Sequence, residues 1–185
     1  MGSSRRIGIF GGSFNPIHLG HMGVAEKAAA EYGLSKVLVV PAHVSPFKTM
    51  GPAPFDDELR WRLVQIACEG HPLLEPCDIE LRRGGVSYTI DTVREVKARY
   101  PDAELFFIVG EDSVAGLPQW RNYAELTKLC RFVSFPRTWE SSTEIRRRLE
   151  AGETMEGLMD PRVAAELAVR RAAGSGDTGS RPQQP

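Results

Sequence analysis

Apolar residues in this chain fall into short dense runs, separated by longer stretches in which they recur at helical spacing. Residues 6–10, 37–40, 77–81, 105–109 and 132–135 are runs rich in Val, Ile, Leu and Phe, bounded by Gly, Pro or polar residues, and they predict strands. Residues 105–109 are apolar at every position, as a parallel strand buried on both faces requires. Leu19, Met22, Ala25 and Ala29 recur three or four apart toward Tyr32 and predict a helix over 19–32, with Gly33 as its C-terminal stop. Further helices are predicted over 56–69, 89–99 and 123–129. Two or three more close the chain, the last over 162–171 behind an Asp160 N-cap and a first-turn Pro161. Strand and helix alternate, which predicts a doubly wound, parallel α/β sheet followed by C-terminal helices.

The stretch Gly8-Ile9-Phe10-Gly11-Gly12-Ser13-Phe14-Asn15-Pro16-Ile17-His18-Leu19-Gly20-His21 joins the first strand to the first helix. A glycine turn lets a ligand approach the backbone, and a helix N-terminus offers free N–H groups to anionic oxygens. Ser13 adds a hydroxyl donor. His18 and His21 are three apart, so they share a face of the first turn, where imidazole donors suit developing phosphate charge. A Gly-Gly turn between strand and helix is common by itself, and two histidines at this spacing also occur in metal sites. The glycine turn beside them fits phosphate better. The stretch is neither a Gly-Lys-Ser/Thr phosphate loop nor a Gly-x-Gly-x-x-Gly fingerprint.

Length and composition narrow the class. With 185 residues, 42% of them hydrophobic, the chain is large enough to bury one substantial core, so a single domain over 1–172 is expected. Residues 173–185 are rich in Gly, Ser, Pro and Gln and are expected to form a disordered tail. A formal net charge of -1, without a long basic block, argues against nucleic acid as the main partner. No apolar run approaches the length of a membrane span and no secretory segment opens the chain, so neither a membrane partner nor export is expected. Cys68, Cys77 and Cys130 are odd in number and widely spaced, which points to small core residues in a reducing cytoplasm.

Gly-x-Phe-x-Pro-x-His-x-Gly-His resembles the first signature of the nucleotidyltransferase superfamily. Ser141-Ser142-Thr143-Glu144-Ile145-Arg146 resembles its second, Ser-Ser/Thr-x-Ile-Arg. Between them, Ser87-Tyr88-Thr89-Ile90-Asp91-Thr92 and Gly110-Glu111-Asp112 with Leu117-Pro118-Gln119-Trp120 resemble segments of the bacterial nicotinate mononucleotide adenylyltransferases. The likeness covers residues 5–170. It implies a Rossmann-like sheet of the nucleotidylyl transferase type and transfer of the adenylyl group of ATP to nicotinate mononucleotide. Mg²⁺ would be bound through the ATP phosphates, with no protein metal ligands assigned.

The resemblance also implies roles. His18 and His21 are the catalytic pair. ATP is bound by Gly11, Gly12, Ser13, Phe14, His18, His21, Gly110, Asp112, Ser142, Thr143 and Arg146. The mononucleotide is framed by Lys48, Tyr88, Thr89, Asp112 and Trp120. Plainer roles stand beside these: Trp120 as a buried anchor, Asp112 as a helix N-cap, Lys48 as a solvated loop residue, and 141–149 as a capped surface helix with exposed arginines. Thr89 is expected to cap the helix that follows it. Ser141 and Glu144 form a capping-box pattern.

The chain departs from the family at two places. Phe47 stands where the family has histidine in the loop before Lys48; His43 lies four residues earlier. Only Thr138, Trp139 and Glu140 separate Arg137 from Ser141, where the family has a longer segment with a further strand, and Glu140 replaces an isoleucine. Alternative functions are adenylyl transfer to nicotinamide mononucleotide or phosphopantetheine, and nucleotide binding without catalysis.

Overall fold

The computed structural model describes residues 5–46, 55–136, 138 and 140–174. In chain order the elements are β1 (Arg6–Gly12), α1 (Leu19–Tyr32), β2 (Lys36–Pro41), α2 (Asp57–Cys68), β3 (Leu74–Pro76), α3 (Ile79–Arg83) and α4 (Thr89–Arg99). Then follow β4 (Glu104–Gly110), α5 (Glu111–Val114), α6 (Tyr123–Leu129), β5 (Arg131–Phe135), α7 (Ser142–Ala151) and α8 (Pro161–Gly174).

The five strands are all parallel, in the order β3-β2-β1-β4-β5. Alternate residues of each central strand feed two cores. Phe10, Val37, Val39, Phe106 and Ile108 pack with α1, α2, α7 and α8 on one face. Ile7, Ile9, Leu38, Val40, Leu105 and Phe107 pack with α3, α4 and α6 on the other. Apolar burial on both faces is why these strands read as unbroken apolar runs. The chain winds outward from β1 through β2 to β3, then returns to lay β4 against the free edge of β1. The strand order therefore reverses between β1 and β4, and a sheet of this kind binds ligands outside the carboxyl ends of the strands at such a reversal.

Three local expectations change. The strand expected over 77–81 is Leu74–Pro76, and residues 79–83 form helix α3. Cys77, Ile79 and Leu81 mimic a strand's alternation, but Arg82 reaches back to Asp78 across one helical turn at 2.9 Å, and Gly84 closes the turn at φ 69°. Thr89 is the first residue of α4 and Tyr88 occupies the cap position, so the cap is not a threonine side chain. The last helix runs two residues into the segment expected as tail; 175–185 lie outside the described residues.

Other end signals agree with the sequence, apart from one half of the capping box at α7. Gly33 terminates α1 at φ 59°. Ser141 Oγ accepts from the Glu144 amide at 3.1 Å, and Asp160 Oδ1 accepts from the Arg162 amide at 2.7 Å. Glu144 does not close the capping box, because its carboxylate is taken by Arg147 and Arg148. Cys68, Cys77 and Cys130 are free and buried, and burial pushes the thiols of Cys68 and Cys130 up to about 12. Among the described residues no helix is long and apolar enough to cross a membrane.

Candidate active site

A cleft of about 410 Å³ opens at the reversal point. Its floor is the end of β1, Phe10, Gly11 and Gly12. One wall is the start of α1, with His18, Gly20 and His21, and the other is Gly110 and Asp112 after β4 together with Ser142, Thr143 and Arg146 at the start of α7. Of the eleven residues expected to bind ATP, all but Ser13 line this cleft. Ser13 lines the neighbouring cleft and turns its carbonyl toward Arg60.

His18 is the N-cap of α1 and His21 its third residue. Their rings stack with centroids 3.6 Å apart, and the His18 amide donates to His21 Nδ1 at 3.3 Å. Phe14 meets the edge of His21 at a centroid distance of 5.0 Å. His18 is only 6% exposed, and its Nδ1 has no hydrogen-bond partner among the described residues. Burial lowers its pKa to about 4 against the opposing pull of Glu140, so the imidazole is neutral at physiological pH.

The glycines serve packing as well as ligand access. A Cβ on Gly12 would lie 3.0 Å from the Phe14 ring, so small size here makes room for the phenylalanine beneath the histidines. A Cβ on Gly20 would run into the Thr138 hydroxyl and lie 2.9 Å from Glu140 Oε2. Thr138 and Glu140 thus lie directly against the first turn of α1.

Two hydrogen bonds from α7 hold it at the cleft. Among the described residues the sheet ends at β5, and α7 docks on the loop after β1. Ser142 Oγ donates to the Pro16 carbonyl at 3.0 Å, and Arg146 Nη1 donates to the Asn15 carbonyl at 2.7 Å.

A smaller cleft of about 190 Å³ lies on the other side of β1 and shares Phe10, Gly11, Gly12 and Gly110 with the first. Thr89 and Trp120 line it, and Tyr88 lines an adjoining depression with Trp120 and Arg121. Trp120 stands edge-on to Phe107 and Phe132, each at 5.9 Å, and also lines the smaller cleft. Asp112, expected at both ligands, lines only the larger cleft and is the second residue of α5 rather than a cap. Lys48 and Phe47 lie outside the described residues.

Two buried polar clusters support these walls, and sequence reasoning did not single them out. Arg60 is 1% exposed and donates to the Ser13 carbonyl at 2.7 Å, while also pairing with Asp57, whose other oxygen meets His43. Burial alone would raise the Asp57 carboxyl; the hydrogen bonds from His43 and Arg60 outweigh it and hold the group below the usual range. Arg60 falls among Leu59, Leu63 and Val64 on the buried face of α2, and a charge within an apolar stripe was the available signal. In the second cluster, Thr92 Oγ1 donates to the buried Glu80 at 2.6 Å and accepts from Arg83 at 2.9 Å. Burial pushes the Glu80 carboxyl up, opposed by that hydrogen bond. Ser87 Oγ accepts from the His43 amide at 3.0 Å, joining the loop after β2 to the loop before α4. Ser87 and Thr92 therefore serve as scaffold within their segment, and Tyr88 and Thr89 face the depression.

Among the described residues no group of three or more His, Cys, Asp or Glu side chains is placed to hold a metal ion.

Fold and cleft together define a doubly wound α/β domain with its cleft at the reversal point of a parallel sheet. The cytidylyltransferase-like family model matches residues 9–148. A relative from Citrifermentans bemidjiense, described as "Probable nicotinate-nucleotide adenylyltransferase", is 41% identical over 84% of this chain and 72% of its own length. Another from Shouchella clausii, with the same description, is 38% identical over 92% of this chain and 97% of its own. The chain belongs to the cytidylyltransferase-like family, and within it to the nicotinate-nucleotide adenylyltransferases. A crystal structure from Vibrio parahaemolyticus shares the fold, with a TM-score of 0.77 at 24% identity over 89% of this chain and 99% of that one.

Proposed function

We propose that this protein transfers the adenylyl group of ATP to nicotinate mononucleotide, yielding deamido-NAD and pyrophosphate. The observation that carries the reading is the shared floor of the two clefts. A triphosphate in the larger one and a mononucleotide in the smaller one would meet over Gly11, Gly12 and Gly110. A phosphate oxygen of the mononucleotide attacks the α-phosphorus of ATP. That P–O bond forms as the bond to the bridging α,β oxygen breaks, and pyrophosphate leaves with the electron pair.

No covalent enzyme intermediate is needed. The protein positions two polyanions in line and stabilises the charge that develops. His18 and His21 donate to the α- and β-phosphates. Ser142, Thr143 and Arg146 hold the β/γ end. Gly11, Gly12, Phe14, Gly110 and Asp112 shape the ATP cleft, with Ser13 at its border. Tyr88, Thr89 and Trp120 frame the mononucleotide, a role assigned also to Lys48, which lies outside the described residues. Mg²⁺ entering with ATP would neutralise phosphate charge, and the cleft's two carboxylates, Asp112 and Glu140, suit such a cation. Three free, buried thiols support a reducing, cytoplasmic setting.

The test is pyrophosphate release with ATP and Mg²⁺ across nicotinate mononucleotide, nicotinamide mononucleotide and phosphopantetheine. The reading expects the highest kcat/KM on nicotinate mononucleotide. A preference for either other acceptor reassigns the substrate, and ATP binding without turnover on any of them makes the protein a non-catalytic nucleotide binder.

A further inference from the structure

The smaller cleft takes its walls from separate segments: Ser13 after β1, Ala42, Ser45 and Pro46 after β2, and Ser87 and Thr89 where α4 begins. His43 stands among them in the chain and lines neither cleft. Its backbone and ring are engaged elsewhere. The amide donates to Ser87 Oγ at 3.0 Å, the carbonyl accepts a longer bond from Arg60 Nη2 at 3.5 Å, and ring Nδ1 meets Asp57 Oδ2. Arg60 carries the connection on to the Ser13 carbonyl at 2.7 Å. One residue thus joins the three segments.

The neighbouring backbone is stitched as well. The Ala42 amide donates to the Gly12 carbonyl at 2.9 Å, and the Ser87 amide donates to the Val44 carbonyl at 2.8 Å. Those two bonds do not depend on the side chain at position 43. The ring contact is of a different kind, because it ties the loop after β2 to the first turn of α2, the helix that also carries Arg60. Asp57 is ionised, so it only accepts, and the proton of the bond sits on Nδ1. A bond of this charge-assisted type is about twice as strong as one between neutral groups.

We propose that His43 is a positioning residue for the acceptor: its ring bond to Asp57 fixes where Ala42, Ser45 and Pro46 stand in the smaller cleft, and so how well the mononucleotide fits. The inference rests on the assignment of the smaller cleft to the mononucleotide. None of Ala42, Ser45, Pro46, Ser87 and Thr89 lines the larger cleft, so the effect falls on one substrate and spares the other.

The test titrates the full chain by calorimetry with nicotinate mononucleotide and, separately, with α,β-methylene-ATP and Mg²⁺. Wild type, His43→Ala and His43→Asn are compared, since an asparagine amide places an N–H where Nδ1 stands. His43→Ala is expected to weaken mononucleotide binding about tenfold, the scale of a bond to a charged group, and to leave the affinity for the ATP analogue unchanged. His43→Asn is expected to recover most of the loss. Equal mononucleotide affinity in wild type and His43→Ala overturns the proposal. A parallel loss of both ligands overturns it too, because His43 would then support the fold at large. So does an asparagine variant no better than alanine, since the bond to Asp57 would not be what holds the loop. A wild-type chain that binds no mononucleotide sinks the acceptor assignment and this proposal with it. Tight wild-type binding that survives in His43→Ala sinks this proposal alone.

Discussion

Arg146 Nη1 donates to the Asn15 carbonyl at 2.7 Å, across 131 positions of sequence, so the helix after β5 grips the loop after β1. Arg146→Ala is expected to weaken ATP binding with little loss of fold. A hydrogen bond to a charged group contributes about 1.5–3 kcal/mol, which corresponds to roughly ten- to hundredfold in affinity. Calorimetric titration of ATP into the variant checks this. An unchanged dissociation constant would make Arg146 a pin between two loops and nothing more.

The stacked imidazoles should show in turnover. His18→Ala and His21→Ala each remove a donor from the place where phosphate charge develops, and losing one such donor lowers kcat by about 10²–10³. Steady-state kinetics on both variants would decide it. Normal kcat in both would dismiss the assigned roles.

His18 also sets a pH dependence of stability. Its pKa falls from 6.5 to about 4 on folding, so between these values the unfolded chain binds more protons than the folded one. Its contribution is complete above pH 6.5 and is lost as the pH falls toward 4, on the order of 2 kcal/mol by pH 5. Urea midpoints at pH 7 and pH 5 should therefore lie further apart in wild type than in His18→Asn. Parallel pH profiles would mean that His18 is protonated in the folded protein.

Arg60→Leu leaves the Ser13 carbonyl and Asp57 without their guanidinium partner. Breaking a buried pair on one side costs about 3–5 kcal/mol. A shift of roughly 2–4 °C per kcal/mol is expected for a domain of this size, so melting should drop by ten degrees or so. Arg60→Lys should recover only part of the loss, since a point charge cannot reach Ser13 and Asp57 together. Full recovery by lysine would show that charge alone matters here.

Gly20→Ala is a substitution of one methyl group aimed at the link after β5. That methyl would collide with Thr138 and crowd Glu140. ATP affinity should fall while the melting temperature changes little, because the strain falls on an edge of the cleft rather than on either core. Wild-type affinity in this variant would show that the link yields freely.

Much of this architecture was legible in the chain. Runs such as Leu105 to Val109 and the pattern Leu19, Met22, Ala25, Ala29 mark elements whose burial follows directly from their periodicity. The two signatures already contained most of the residues that line the larger cleft, because glycines, histidines and a capped arginine helix carry their chemistry in their identity. Contacts made far along the chain were not legible. Arg60 gives no local hint that its partner is Ser13, and Cys77 to Leu81 alternates like a strand until Asp78 and Arg82 close a helical turn. The removal of a segment before Ser141 was visible, yet its consequence, the passage of Thr138 and Glu140 over Gly20, needed three dimensions.

The position of β1 between β2 and β4 governs how the molecule comes to exist. Arg6 pairs with Glu104, 98 positions later, and the cleft closes only when Arg146 arrives. A chain emerging from the ribosome carries its glycine turn early, with one side of β1 still unpaired. Pairing over such distances is slow, and unpaired strand edges invite association with other chains. A product truncated before α7 lacks Ser142, Thr143 and Arg146, so one wall of the larger cleft takes shape only after the ribosome has passed nearly four-fifths of the chain.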